Sequence, residues 1–248
     1  VFGVSVAVQR YAIALGALII IGCAFLLASA GSGKVEAGSG KLAAGSGKLE
    51  AALWAAVGLA AVPRMMMCAR QIFIVIWITA FMSLTLVFFA LSERYPARRR
   101  RFLALMYVAI ALGVLTKGPV AIALPALAFA LYLLVHRELR RITEMMIPLG
   151  IVIVAVIVVP WYAVLYHEQG WTYIKSFLVS ENIERFTSGV GVRQQRGPLF
   201  YLPVVLSDSF PWSMLLPCAA VAHLRHRYSG QARSRIQTLL WCWIIAIV

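Results

Sequence analysis

The sequence predicts an all-α bundle of membrane-spanning helices, and three observations predict it. Of the 248 residues, 62% are hydrophobic and 13% charged, whereas soluble domains are roughly half apolar and a quarter charged. The apolar residues fall in runs of about 20, the length that crosses a hydrocarbon core as a helix. Most of the cations collect in short connectors between those runs, the distribution that membrane insertion produces.

The runs at 11–30, 71–91, 145–166 and 199–222 each suffice for one span, and another begins at 239. Residues 51–69 are long enough but contain Pro63 and Arg64, which disfavour a continuous apolar helix. Residues 102–135 are too long for one helix and short for two. Split at Lys117-Gly118-Pro119, they give halves of about 15 and 17 residues, roughly 22 to 26 Å at 1.5 Å per residue. A hairpin follows, with its tip just inside the membrane boundary.

Residues 30–50 are three near-identical heptads, AGSGKVE, AGSGKLA and AGSGKLE. GSGK resembles part of a phosphate-binding loop, but that motif needs four residues between its first Gly and the Gly-Lys, and Ser or Thr after the Lys. Here Val35, Leu42 and Leu49 follow the lysines, so the heptads read as a flexible, weakly basic connector. The expected organisation is a transmembrane helix over 1–30, a Gly/Ser/Lys linker over 31–50, and a transmembrane region over 51–248 containing a loop at 167–198. Because the chain starts at Val1 and stops within WCWIIAIV, it is expected to be the central part of a longer protein.

The net charge of +14 raises nucleic acid as a partner, but the cations lie in membrane-flanking connectors, and no nucleic-acid role is expected. If the connectors 31–50, 92–101, 136–144 and 223–237 are cytoplasmic, they hold 15 of the 23 Lys and Arg. That orientation places Lys117 and the loop from His167 to Pro198 on the outer face. Cys23, Cys68, Cys218 and Cys242 lie in or beside apolar stretches without a CxxC pair or His at ligand spacing, so they read as buried small hydrophobes and no metal site is assigned.

Ionisable groups at membrane depth are costly, by about 2.5 to 3.5 kcal/mol on insertion scales, and invite a functional reading. Lys117 is the best placed: Gly118 permits a tight turn, Pro119 removes a donor, and the ammonium is left at the outer interface, where it suits a lipid phosphate or simply snorkels to the headgroups. The outer loop carries ENIERF and VRQQRGPLFYLP. These supply Arg185, Arg193 and Arg196, with Glu181, Asn182 and Glu184 beside them and Tyr201 opening the next helix. Arginine forks bind phosphate bidentately, although a solvated loop against lipid headgroups has the same composition. Asp208, within VVLSDSFPWS, reads either as a functional acid or as a hydrogen-bonded group near Pro211.

LGVLTKGPVAIALPAL, FLVSENIERF and RGPLFYLPVVLSDSFPWSMLLP, in this order, resemble the phospholipid-carrier-dependent glycosyltransferases, the superfamily of protein O-mannosyltransferases and the aminoarabinose transferase of lipid A. CARQIFIVIWITAFMSLTLVFFAL resembles the family helix that precedes the TKGP hairpin. The resemblance runs from about Glu50 to Pro217. It implies a GT-C fold in the bacterial inner membrane with the active site on the outer, periplasmic face. There a sugar passes from a polyprenyl-phosphate donor to a lipid, glycan or protein acceptor. Lys117, Arg185, Arg193 and Arg196 are then the donor-phosphate residues, supported by Glu181, Asn182, Tyr201 and Asp208.

The chain also departs from the family. The catalytic acid belongs to a first outer loop expected upstream of Val1, so no catalytic residue is assigned. A second acidic position matches Val75, and Asn182 stands where some members have His. A divalent metal therefore stays open, with no cofactor assigned. Without the base, which typically contributes 10²- to 10⁴-fold, the chain alone is expected not to transfer sugar. The rival readings are a transporter or flippase of lipid-linked sugars, and a catalytically inactive fragment. A transporter would favour internal repeats and midplane sites, and here the helices show no repeat and the charged motifs gather at one face.

Overall fold

The computed structural model describes residues 6–31, 41–70, 75–175, 201–215, 217–218, 221 and 235–247. Among them there is no strand. The helices are α1 (Val6–Gly31), α2 (Lys41–Ala60), α3 (Pro63–Arg70), α4 (Val75–Arg94), α5 (Arg99–Lys117), α6 (Val120–Val135), α7 (Ile147–Lys175), α8 (Tyr201–Asp208) and α9 (Arg235–Ile247). Short 3₁₀ turns lie at Pro96–Arg98, Leu139–Met145 and Trp212–Leu215. The chain divides into two compact units, one of residues 1–76 and 196–238, the other of residues 77–195 and 239–248.

Three helices are long and apolar enough to cross a membrane, over Val8–Ala30, Val75–Arg94 and Ile147–Trp171. They match the expected runs at 11–30, 71–91 and 145–166. The surface of α7 suits a lipid solvent: Ile151, Val156 and Trp171 are 65%, 67% and 64% exposed. An exposed apolar side chain carries no penalty in hydrocarbon. The same reasoning covers the thiols, of which Cys23 and Cys242 are buried as expected while Cys68 is half-buried and Cys218 exposed.

Several expected boundaries move. Helix α2 takes in residues 41–50 of the expected linker, where Lys, Leu, Ala and Glu favour helix and outweigh Gly45 and Gly47; residues 32–40 lie outside the described residues. The doubtful run at 51–69 breaks where Pro63 begins α3, the two pieces meeting at a 62° bend. Helix α7 runs on to Lys175, into the expected loop at 167–198, with a non-helical Gly170 (φ 73) as its kink. The single span expected over 199–222 is not continuous. Helix α8 ends at Asp208, and a turn through Ser209 to Pro211 leads into a 3₁₀ segment, because Pro211 has no N–H to continue the ladder.

Within the first unit, α1 packs against α2 and α3. The second unit is built on the α5–α6 hairpin, with α7 against α5. Small residues let its helices close up: Ala111 and Ala128 are fully buried, and a β-carbon on Gly113 would come within 2.9 Å of that of Ala121. Phe89 of α4 stacks on Phe129 of α6 at 4.1 Å and meets Tyr132 edge-on at 5.6 Å. Tyr107 of α5 packs against Gly150 of α7, where a β-carbon would overlap its ring, and its hydroxyl donates to the Met145 carbonyl at 2.8 Å. Tyr107→Phe is expected to cost about 1 kcal/mol and Gly150→Val about 1 to 3 kcal/mol by overpacking, read from unfolding in detergent.

At the end of the hairpin opposite Lys117, an ion-pair cluster fastens α4, α5 and the 3₁₀ turn at Leu139–Met145. Glu93, whose side chain is 9% exposed, binds Arg99 at 3.5 Å and Arg141 at 2.8 Å. Arg99 also reaches Glu144 at 2.7 Å, and Arg141 reaches Glu138 at 3.0 Å. Charge therefore clamps the open end of the hairpin and small-residue packing closes its tip.

Candidate functional site

The tip of the hairpin is built by three residues with separate tasks. Helix α5 ends at Lys117, and Gly118 caps it at φ 79, ψ −151, donating its N–H to the Val114 carbonyl at 2.8 Å. That backbone region is essentially open to glycine alone. Pro119 follows at φ −60, ψ −22, preset for a helix start, and its carbonyl accepts from Ile122 and Ala123 at 2.9 and 3.1 Å. Gly118→Ala is expected to cost about 1 to 3 kcal/mol through this strain, measured as lost stability of the purified protein.

The Lys117 side chain is exposed and has no hydrogen-bond or ion-pair partner among the described residues. It sits at the carbonyl end of α5, three residues before α6 begins at Val120. The first α6 amides are taken up by the turn, Ala121 donating to the Gly118 carbonyl at 3.2 Å and Ile122 to that of Pro119 at 2.9 Å, so the group that suits an anion at the tip is the Lys117 ammonium itself. Helix α5 has 19 residues and α6 has 16, about 28 and 24 Å at 1.5 Å per residue. The α5 half is longer than the expected 15 residues because the helix starts inside the arginine cluster, at Arg99.

Glu181, Asn182, Arg185, Arg193 and Arg196 lie outside the described residues. Tyr201 opens α8 as expected. Asp208 closes α8 and forms an ion pair with Arg64: both Nη2 and Nε of Arg64 approach the same carboxylate oxygen, Oδ2, at 2.7 and 2.9 Å. The pair joins α8 to the broken α2–α3 segment in the first unit, where a β-carbon on Gly58 would lie 3.9 Å from the Trp212 ring. Of the two readings of Asp208, the paired group describes its geometry, and Arg64 is its ion-pair partner among the described residues. The pairing was not visible from sequence, although Arg64 in an apolar run signalled that a carboxylate had to meet it.

Val75 is the first residue of α4 and 53% exposed. Its side chain has no atom that can accept a proton or bind a cation. Among the described residues no three His, Cys, Asp or Glu side chains are placed to hold a metal ion together. The described donors therefore do not fit a bound divalent metal.

The chain is similar to known proteins in sequence and fold. The family model for dolichyl-phosphate-mannose-protein mannosyltransferase matches residues 41–163. The undecaprenyl phosphate-alpha-4-amino-4-deoxy-L-arabinose arabinosyl transferase of Pectobacterium carotovorum is 34% identical over 173 residues, 68% of this chain and 29% of the relative. A similarly named transferase of Pseudomonas fluorescens is 29% identical over 152 residues, 61% of this chain and 26% of the relative. Crystal structures of ArnT from Cupriavidus metallidurans are also similar. The undecaprenyl phosphate-bound form has TM-score 0.78 at 26% identity and covers 99% of this chain and 41% of that one. The apo form has TM-score 0.69 at 27% identity, covering 96% and 39%. The chain thus spans between a quarter and a third of the two transferases. With its membrane helices, its TKGP hairpin and these likenesses, the chain is an integral membrane protein of GT-C fold and belongs to the superfamily that unites the protein mannosyltransferases with the aminoarabinose transferases.

Proposed function

We propose that this chain is the donor-phosphate-binding part of a membrane glycosyltransferase that moves a sugar from a polyprenyl-phosphate carrier to an acceptor on the outer, periplasmic face of a bacterial inner membrane. The observation that carries the proposal is the hairpin tip, where Lys117 stands exposed and unpaired among the described residues. The names of the relatives, and the undecaprenyl phosphate bound to the similar ArnT, support a polyprenyl-phosphate donor with an amino-sugar of the arabinose type.

In this reading the acceptor's hydroxyl or phosphate oxygen loses its proton to a base and attacks the anomeric carbon, and the carbon–oxygen bond to the polyprenyl phosphate breaks. The leaving phosphate gathers negative charge. The Lys117 ammonium stabilises that charge most where it is greatest, in the transition state and product. Arg185, Arg193 and Arg196 are proposed to complete the phosphate site, with Glu181, Asn182 and Tyr201 beside them. Asp208 is proposed as a positioning residue, because its charge is engaged by Arg64.

The test is an assay on inside-out and right-side-out vesicles containing this chain within the full-length transferase, supplied with a radiolabelled polyprenyl-phosphate sugar and a lipid acceptor extract. Label that moves onto the acceptor at the outer face supports transfer. Carrier that crosses the bilayer with its sugar still attached would instead make the protein a flippase.

A further inference from the structure

The open end of the α5–α6 hairpin carries far more charge than its ion pairs use. Residues 93–101 and 136–144 hold eight arginines against three glutamates. Arg99 and Arg141 engage all three glutamates. Arg98, Arg100, Arg101, Arg137 and Arg140 are exposed, and none of them has an ion-pair partner among the described residues. The bonds from Arg99 to Glu144 and from Arg141 to Glu93 bring the two segments together, so these five cations form one collar beside an ion-paired centre in which two arginines meet three glutamates.

Two further observations indicate what the collar meets. Its apolar members are exposed beside the cations: Tyr95 at 49%, Leu139 at 49% and Ile142 at 39%. An aromatic ring and aliphatic side chains interleaved with arginines at the end of membrane helices match the headgroup layer, which is apolar below and charged above. Arg137 adopts a left-handed backbone conformation, φ 54, at the turn closing α6, a position where glycine is free of strain. An arginine side chain is thus placed at a site that backbone preference would leave without one.

We infer that this collar is a binding surface for anionic phospholipid headgroups in the leaflet at the open end of the hairpin. The guanidinium forks bind the phosphodiesters while Tyr95, Leu139 and Ile142 sit among the upper acyl carbons. The bound lipids set the depth of α5, whose far end carries Lys117. Nucleic acid would satisfy the cations but leave the apolar side chains unmatched.

The experiment titrates the purified 248-residue chain in neutral detergent with phosphatidylglycerol and, separately, phosphatidylcholine, and reads lipid adducts by native mass spectrometry. Phosphatidylglycerol is expected to bind at least tenfold more tightly, and each of Arg100→Gln and Arg101→Gln to weaken it about fivefold, near 1 kcal/mol per cation at a membrane surface. The combined replacement of all five arginines by glutamine is expected to remove the preference while circular dichroism stays unchanged, since none of the five holds an ion pair of the cluster. Should that variant fail to fold, the parent chain decides the matter: its preference must fall steeply between 50 and 500 mM salt, as roughly 8–10 Å screening near 0.1 M requires for exposed charges. Equal binding of the two lipids, or a preference untouched by the single substitutions, overturns the inference. So does full displacement of phosphatidylglycerol by an equal concentration of inorganic phosphate or of a short oligonucleotide, because the site would then be for free phosphate or nucleic acid.

Discussion

Replacing Lys117 with methionine in the protein that contains this chain is expected to lower turnover by about 10²- to 10³-fold, the loss seen when one preorganised donor to a developing anion is removed. Methionine keeps the aliphatic length and deletes the ammonium. Lys117→Arg is expected to keep part of the activity, because it retains the cation although its planar fork differs in shape from an ammonium. The pair of variants separates two roles. A lysine that only snorkels from the turn would tolerate methionine, which removes a charge from the interface, and turnover would stay near the parent's. Both variants need comparison at matched membrane expression. The turn is held by Gly118 and Pro119 rather than by the lysine side chain, so neither substitution should disturb the fold.

The second large effect is expected on stability, at Glu93. Its carboxylate is nearly buried and bridges Arg99 and Arg141. Glu93→Gln keeps the shape and removes the charge, leaving two partly buried guanidiniums with only Glu138 and Glu144 between them. Breaking a buried pair by removing one partner costs about 3 to 5 kcal/mol. The arginines here are 21% and 30% exposed, so the lower end, about 3 kcal/mol, is expected. Arg100→Gln serves as the control, since it has no ion-pair partner among the described residues and should stay within about 0.5 kcal/mol of the parent. Equilibrium unfolding of the three proteins in the same detergent checks both figures. A Glu93→Gln protein as stable as Arg100→Gln would show that the cluster does not clamp the hairpin.

The difference between these two ends explains what could be read in the sequence. Lys117-Gly118-Pro119 is a local signal: glycine's backbone freedom and proline's fixed φ mark a turn without knowledge of anything distant. The long spans of α1, α4 and α7 were legible for a similar reason, because hydropathy over 20 residues is a property of the segment itself. Glu93 with Arg141 and Arg64 with Asp208 are separated by 48 and 144 residues, and nothing in either neighbourhood names the partner. The break after Asp208 had its signal in Pro211, but the apolar run on both sides outweighed it. The overrun of α7 to Lys175 had none, since Glu168, Gln169 and Gly170 read as the start of a loop while the helix continues through a kink. For the candidate site, the position of Lys117 was legible and its surroundings were expected only through the resemblance, with the outer-loop arginines lying outside the described residues.

The central claim, that Lys117 meets the phosphate of a polyprenyl carrier on the outer face, is tested most directly by amine protection. Right-side-out vesicles containing the protein are treated with a membrane-impermeant acylating reagent, and the fraction of Lys117 modified is read by mass spectrometry without additive, with polyprenyl phosphate, and with the neutral polyprenol of the same length. Lys117 is predicted to be modified from the outside, to be protected by polyprenyl phosphate, and to remain reactive with polyprenol, since only the phosphate engages the ammonium. Modification that requires opening the vesicles, or that is equally fast with all three, would contradict the account.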